Sequence, residues 1–194
     1  MNQTAYNGVT NFIKGLPVIG GFCKFWFIPV EEVEDMPVIN PASQVLKSEV
    51  VLKTGKLWRG PVPVPDRQLG FTEIKKDSKS GPYYEIKVSC TYPGDVPATR
   101  TNIDNMAYEK FMIVGKLRAS GAYLLIGNTE AGMDFSADFD SGSANGNAAL
   151  NKFEFFTEQI NKALVLPSFN GEESGYVNLS GQTVTNNNNF WELE

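Results

Sequence analysis

The clearest pattern along the chain is a strict alternation of apolar and polar residues from Tyr84 to Tyr92. A period of two residues is typical of an antiparallel strand with one buried and one exposed face. A second candidate strand, Phe71 to Lys76, precedes it, and a polar segment separates the two. The pattern predicts a long hairpin from Phe71 to Tyr92. Its tip consists of Asp77, Ser78, Lys79, Ser80 and Gly81.

A second alternation runs from Met133 to Asp140 and predicts another half-exposed strand. Its apolar positions are Met133, Phe135, Ala137 and Phe139, and its polar positions are Asp134, Ser136, Asp138 and Asp140. The exposed face of this strand is therefore expected to be acidic. Together, the two alternations predict that Ile86, Val88, Phe135 and Phe139 lie in the core.

Shorter apolar segments predict the other strands, and proline and glycine separate them. The proline-valine run from Pro61 to Pro65 cannot be a central strand, because proline lacks a backbone donor. It is expected to be an edge or a connector, and the segment Ser141 to Ala149 is expected to be a loop. The further predicted strands are Phe25 to Val30, Val50 to Lys53, Lys56 to Arg59, Met112 to Leu117, Ala122 to Gly127, one that starts at Phe153, and Ala163 to Leu166.

One helix is predicted between the two alternating strands. Ile103, Met106, Ala107 and Phe111 are spaced at i, i+3, i+4 and i+8, which places them on one face of a helix. An amphipathic helix usually buries its apolar face, so this helix is expected to pack against the sheet.

These elements predict a mainly β fold: an antiparallel β-sandwich or barrel-like domain with one flanking α-helix, a long hairpin and extended terminal arms. The predicted boundaries are an N-terminal arm at 1–22, a β-rich core domain at 23–169 and a C-terminal arm at 170–194. The arms contain few large apolar side chains that could anchor them to other copies: Phe12, Tyr176, Phe190 and Trp191. A tail packed on its own domain is the alternative.

Composition narrows the range of functions. Hydrophobic residues make up 42% of the chain, which is enough to build a sizeable core. The net charge of -5 argues against a general nucleic-acid-binding surface. The chain contains no histidine, which removes the commonest general base and the usual zinc ligand. We therefore expect a protein that is not an enzyme and that needs no cofactor.

Metal and redox chemistry have few candidates. Cys23 and Cys90 form no metal-binding motif and are expected to be free buried thiols, with a single disulfide as the alternative. The best oxygen ligands are Asp134, Asp138 and Asp140 together with Asn145 and Asn147, but their spacing does not fit a calcium loop. On a strand, Asp134 and Asp138 would lie ~13 Å apart, too far to bind one ion. A solvated acidic face without a metal is the expectation.

The apolar run from Leu16 to Val30 is too short to span a bilayer and is interrupted by Lys24. It lacks the charged start and cleavage site of a signal peptide. We interpret it as a buried strand, which favours a product of the cytoplasm or a particle assembled there.

The region from Gly115 to Phe169 carries a resemblance. Its pattern is a strand with Gly115-Lys116-Leu117-Arg118, the strand Tyr123 to Ile126, and then Gly127-Asn128, Glu130, Gly132, Asp134-Phe135, Gly142, Asn151, Phe153-Glu154-Phe155 and Ala163 to Phe169. This region, about a quarter of the chain, resembles virion proteins of tailed phages and prophages of Bacteroidetes. Its strand–glycine–strand rhythm is similar to that of tail-tube-type proteins.

The resemblance implies two packed sheets, a helix and a long hairpin or arm, in subunits that stack as rings. It implies partners that are copies of the same chain and other virion proteins. The short apolar run and the net charge of -5 already argue against a membrane and a specific nucleic acid as partners. Contacts between subunits would then involve the hairpin tip and the arms. The alternative is a carbohydrate-binding or adhesive β-sandwich, which would need two or three coplanar aromatic side chains on one open face.

Overall fold

The computed structural model describes residues 21–40, 45–62, 69–93, 103–140, 150–172, 176–177 and 183–184. Within these residues the fold is mainly β, as the sequence predicts, with one helical turn at 103–106 and two short 3-10 turns. The strands are β1 (Phe22–Pro29), β2 (Val33–Asp35), β3 (Ile39–Asn40), β4 (Val45–Leu46), β5 (Val51–Leu52), β6 (Leu69–Ser78), β7 (Gly81–Pro93), β8 (Lys110–Leu117), β9 (Tyr123–Ile126), β10 (Met133–Asp140), β11 (Leu150–Gln159), β12 (Leu164–Leu166), β13 (Tyr176–Val177) and β14 (Thr183–Val184).

One ten-stranded sheet dominates the fold, in the order β3-β4-β12-β9-β8-β10-β11-β7-β6, with β1 paired to β8 outside this path. One edge of β8 is occupied by β1, from Phe22 opposite Leu117 to Pro29 opposite Phe111. The other edge is shared, because the start of β8 pairs with β10 and its later residues pair with β9. The sheet therefore divides at β8 and curls into a half-barrel.

The two strands at this branch point, β1 and β8, are buried on both faces. Their sequences FCKFWFIP and KFMIVGKL contain runs of apolar residues, which is what a strand covered on both sides requires. Phe25 and Phe27 point to one side of β1, while Trp26 and Ile28 point to the other. Each face of β1 therefore belongs to a different hydrophobic cluster.

The first cluster fills the curl of the sheet, between β1 and β8 on one side and β7, β10 and β11 on the other. Aromatic rings dominate it: Phe27, Phe111, Phe135 and Phe155 lie with ring centroids 5.0–6.1 Å apart. Rings in such tilted or edge-to-face arrangements attract each other beyond the effect of burial alone. The helical turn covers this cluster, because Ile103 and Met106 pack against it.

The second cluster lies on the opposite face of β1 and β8. Trp26, Ile28, Met112 and Val114 pack there against residues of β2, β9 and β12 and against Trp58. Phe169 packs on Trp26, with ring centroids 4.9 Å apart. The domain thus has two cores that share a pair of strands.

Gly115 on β8 allows β1 and β8 to pack closely at the end of the first core. A Cβ atom at this position would lie 2.3 Å from two ring carbons of Phe22. Phe22 also stacks on Phe71 of β6, with ring centroids 4.4 Å apart. This stack brings the far edge of the curled sheet back towards β1.

The predicted hairpin is confirmed, because β6 and β7 pair over ten residues each around a turn at Lys79 and Ser80. The inward positions Ile86 and Val88 are fully buried, and Phe135 is 8% exposed, as predicted. The prediction for Phe139 is wrong, since this side chain is 41% exposed. Phe139 lies on the same face of β10 as Phe135, because the two are four residues apart on the strand. However, it is near the end of β10, beyond the part of the core that buries Phe135.

Two further predictions need correction. The predicted helix is a single turn at 103–106, and Phe111 belongs to β8 rather than to the helical stripe, because it pairs with Pro29 and Met133. The predicted strand Lys56 to Arg59 is not a strand, although Arg59 forms an isolated bridge with Phe27.

Both cysteines are free thiols, so the disulfide alternative is wrong. Cys90 is buried as predicted, and burial raises the pKa of its thiol to about 12. Cys23 is only partly buried. In the part of the chain that the structure describes, no helix is long and apolar enough to cross a membrane.

Several predictions lie outside the described residues. These are the N-terminal arm up to residue 20, the loop Ser141 to Ala149 with Asn145 and Asn147, and the predicted anchors Phe12, Phe190 and Trp191. In the predicted C-terminal arm, Tyr176 of β13 pairs with Val184 of β14. The two arms and their boundaries remain predictions.

Candidate functional site

The end of the β6–β7 hairpin extends past the rest of the sheet. β11 pairs with β7 only up to Tyr84, which lies opposite Gln159. Between Tyr84 and the tip, the described sheet therefore consists of the two hairpin strands alone. Every residue from Thr72 to Ser80 is exposed, so this part of β6 is exposed on both faces.

The structure brings the five predicted tip residues together in a tight turn. The hydroxyl of Ser78 donates a hydrogen bond to the carbonyl oxygen of Gly81 at 2.7 Å and accepts one from the backbone N–H of Ser80 at 3.2 Å. Gly81 has φ of 118°, a conformation that glycine adopts without steric strain. Asp77, Lys79 and the two serines are exposed at this tip.

Pro82 reveals which backbone groups of β6 face outwards. Asp77 is opposite Pro82, which has no N–H and cannot form a pair with hydrogen bonds in both directions. Asp77 and Pro82 are therefore a non-hydrogen-bonded pair of the ladder. Bonded and non-bonded pairs alternate in an antiparallel ladder, and the β6–β7 register is unbroken. The N–H and C=O groups of Asp77, Lys75 and Glu73 therefore point away from β7.

Within the described residues no strand pairs with the outer edge of β6, because β6 is the last strand of the sheet. The start of β6 lies beside β1, where Phe71 stacks on Phe22, so the open part of the edge is the exposed segment that begins at Thr72. Its side chains carry both signs of charge. Lys76 lies 3.4 Å from Glu85, and Lys75 lies 3.9 Å from Asp77. Exposed pairs of this kind stabilise a fold by only ~0–1 kcal/mol, so these lysines could exchange partners at little cost. Ile74, between these charges, is 49% exposed.

The base of the hairpin is held to the domain by Glu73. Its carboxylate accepts a hydrogen bond from the backbone N–H of Ala163 at 2.7 Å, just before β12. This bond involves one carboxylate oxygen, Oε2. The hairpin therefore leaves the domain from an anchored base.

A pocket of about 210 Å³ opens beside the second core. Trp58 and Phe169 line it, with ring centroids 5.5 Å apart and planes at 72°. Glu49 and Ser168 also line it, and the hydroxyl of Ser168 donates a hydrogen bond to the Glu49 carboxylate at 2.6 Å. The pocket combines apolar walls with one polar pair.

A group of charged side chains lies next to this pocket. The carboxylate of Glu32 receives hydrogen bonds from Arg59 at 2.8 and 3.0 Å and from Lys56 at 2.9 Å. Burial raises the pKa of Glu32, but the hydrogen bonds from Arg59 and Lys56 outweigh burial and leave it below its usual value. Burial raises the pKa of Glu109 nearby, where Arg59 opposes the effect. Sequence reasoning missed this group, because nothing in the local pattern joins Glu32 to Arg59.

The acidic side of β10 is partly neutralised. Asp134 is hydrogen-bonded to Lys110, and Asp138 lies opposite Lys152 on β11. Among the residues that the structure describes, no group of three or more histidine, cysteine, aspartate or glutamate side chains could hold a metal ion. The side chains of β10 thus give a charged face without the geometry of a chelating site.

Comparisons with protein-family models, with curated proteins and with solved structures found no match to this chain.

Proposed function

We propose that this chain is a structural subunit of a tailed-phage virion, a tail-tube, tail-end or neck component. In this role it assembles with copies of itself into rings and contacts other virion proteins. It carries out no catalysis and is located in the virion, which is assembled in the cytoplasm of the host bacterium. The observation that carries the proposal is the projecting hairpin, whose strand β6 has no paired strand on its outer edge among the described residues.

An open edge strand favours assembly for a physical reason. Its outward N–H and C=O groups can pair with a strand of another chain, and such strand addition is a common mode of protein association. The anchored base at Glu73 supports this role, because a hairpin held in place loses less conformational freedom on binding. The region from Gly115 to Phe169 resembles virion proteins of tailed phages, and this resemblance is the reason for proposing a phage particle.

The alternative, a carbohydrate-binding or adhesive module, has weaker support. Among the residues whose side-chain exposure the structure describes, the exposed aromatic residues are Tyr108, Phe139 and Phe156, and they do not share one element. The rings of Trp58 and Phe169 in the pocket are inclined at 72°, and Trp58 is buried. A flat aromatic platform for a sugar ring is therefore not evident among these residues.

Negative-stain electron microscopy of the purified full chain, together with light scattering, tests the proposal. Rings or tubes are the expected result. A monomer at all concentrations, or binding to a panel of glycans, would contradict it.

Deleting Ser78 to Gly81 tests the part played by the hairpin tip. We expect weaker assembly while the circular dichroism spectrum and thermal melt of the monomer are retained. A control variant changes Ala119 and Ser120, which are exposed in the turn between β8 and β9, and should leave assembly intact. Unchanged assembly after the deletion would remove the tip from the interface.

A further inference from the structure

We infer that the outer edge of β6 pairs antiparallel with β6 of a second copy of this chain, around a two-fold axis at Ile74. The inference deepens the proposed assembly, and it rests on that proposal for the presence of a second copy. It identifies the partner of the open edge and the register in which the two strands meet.

The backbone limits the possible registers. The outward-pointing N–H and C=O groups of β6 belong to its odd-numbered residues, which include Glu73, Lys75 and Asp77. In a symmetric antiparallel pair, outward-facing residues must therefore lie opposite outward-facing residues. The two-fold axis can then pass through any one residue of the exposed segment, and the side chains decide between these positions.

The charges select Ile74. An axis at Glu73 would place Glu73 opposite itself, and an axis at Lys75 would place Lys75 opposite itself. Like charges directly opposite each other destabilise a strand pair. An axis at Lys76 would oppose the two copies of that lysine. An axis at Asp77 would oppose two aspartates, and an axis at Ser78 would extend the pairing into the turn. An axis at Thr72 creates no like-charge pair, but it leaves Glu73 and Lys75 opposite apolar residues. An axis at Ile74 avoids these conflicts and also places Glu73 opposite Lys75.

In the Ile74 register the edge is self-complementary. Glu73 of each copy lies opposite Lys75 of the other, which gives two pairs of opposite charge. The two copies of Ile74, each 49% exposed in the single chain, meet on the other face of the sheet. Glu73 already accepts the Ala163 N–H through Oε2, so its second carboxylate oxygen remains for Lys75 of the second copy.

Such a contact is isologous and closes at two copies, because each chain uses the same surface. Rings would need a second and different contact in addition. The edge contact and the ring are therefore separable by experiment.

Two charge reversals test the register. Glu73→Lys places a second lysine opposite Lys75, and Lys75→Glu places a second glutamate opposite Glu73. Each variant alone should therefore bind itself more weakly by roughly tenfold or more. A mixture of the two variants has opposite charges at both positions and should form a heterodimer at least tenfold more tightly than either variant binds itself. The loss of the Glu73 bond to the Ala163 N–H in one partner should keep the affinity of the heterodimer below that of the wild type. Sedimentation velocity of each variant and of the mixture gives the dissociation constants.

Lys75→Pro provides a second test that does not depend on charge. It removes an outward N–H without removing a bond of the β6–β7 ladder, so the hairpin should remain folded while self-association is lost. Circular dichroism confirms folding of each variant.

The inference is overturned if both charge variants associate like the wild type, or if their mixture does not associate. A Lys75→Pro variant that still forms the two-copy contact with wild-type affinity would overturn the edge contact, and rings formed by that variant would leave the proposed function standing. A wild-type chain that stays monomeric at every concentration would overturn both.

Discussion

At the scale of single residues, Glu32 shows how a buried carboxylate is kept ionised. Burial alone would raise the pKa of Glu32, but Arg59 and Lys56 donate three hydrogen bonds to it, and its pKa lies below the usual value. A carboxyl group whose pKa is lowered on folding stabilises the fold above its unfolded pKa. That contribution is lost as the pH falls through the folded pKa.

Glu32→Gln is expected to lower the free energy of unfolding at pH 7 by on the order of 2 kcal/mol, because it leaves Arg59 with a neutral partner. It should also reduce the loss of stability on acidification below the usual pKa of 4.5. Urea unfolding at pH 7 and at pH 3 measures both effects. Glu31→Gln, at an exposed neighbouring position, is the control. Equal acid sensitivity in Glu32→Gln and the wild type would contradict this account.

Gly115 offers a second prediction at this scale. Gly115→Ala forces its Cβ into the ring of Phe22, which is buried, so it should destabilise the fold by about 1–3 kcal/mol. In a background of Phe22→Leu the ring is gone, and the same substitution should cost less. A double-mutant cycle from thermal or urea unfolding measures the coupling. Purely additive effects would show that the contact with Phe22 is not the cause.

At the scale of elements, β10 carries two phenylalanines on the same face of the strand but in different environments. Phe135 is 8% exposed, and Phe139 is 41% exposed. Phe135→Ala should cost ~3–5 kcal/mol, because it leaves a cavity among the rings of the first core. Phe139→Ala should cost about 1 kcal/mol or less. Urea unfolding of the two variants compares them, and equal losses would mean that the end of β10 is as well packed as its middle.

The same strand explains how far the elements could be predicted from sequence. Alternation identifies the face of a strand, and it predicted Ile86, Val88 and Phe135 correctly. It does not say where the covering elements end, and so it misassigned Phe139. The helical spacing that included Phe111 failed for a related reason: the apolar run from Phe111 to Val114 is buried on both faces as a strand, and its first residue happens to match a helical stripe.

At the scale of the whole molecule, the two cores share β1 and β8. Loss of either strand exposes both clusters, so we expect unfolding to be a single cooperative transition. Tryptophan fluorescence in a Trp191→Phe background reports on Trp26 and Trp58 in the second core. Far-UV circular dichroism reports on all strands. The two urea transitions should coincide, and separate midpoints would show that the cores unfold independently.

Long-range pairing is the part of the molecule that the sequence could not predict. The mainly β class, the hairpin and its tip follow from local patterns. The meeting of β1 with β8, the second core around Trp26 and the bond between Glu49 and Ser168 join segments far apart in the chain. No local period encodes such contacts. The hairpin tip was found because it is local, and the pocket was missed because it is not.

The pairing of β1 with β8 also matters while the protein is being made. About 80 to 95 residues separate the partners in this pair. At a synthesis rate of ~5–20 residues per second, β1 waits roughly 4 to 20 seconds before β8 has been translated. During this time Phe25, Trp26, Phe27 and Ile28 have left the ribosome without the strand that will bury them. On crowded polysomes, these residues form an apolar segment through which nascent chains can adhere to one another and to which a chaperone can bind.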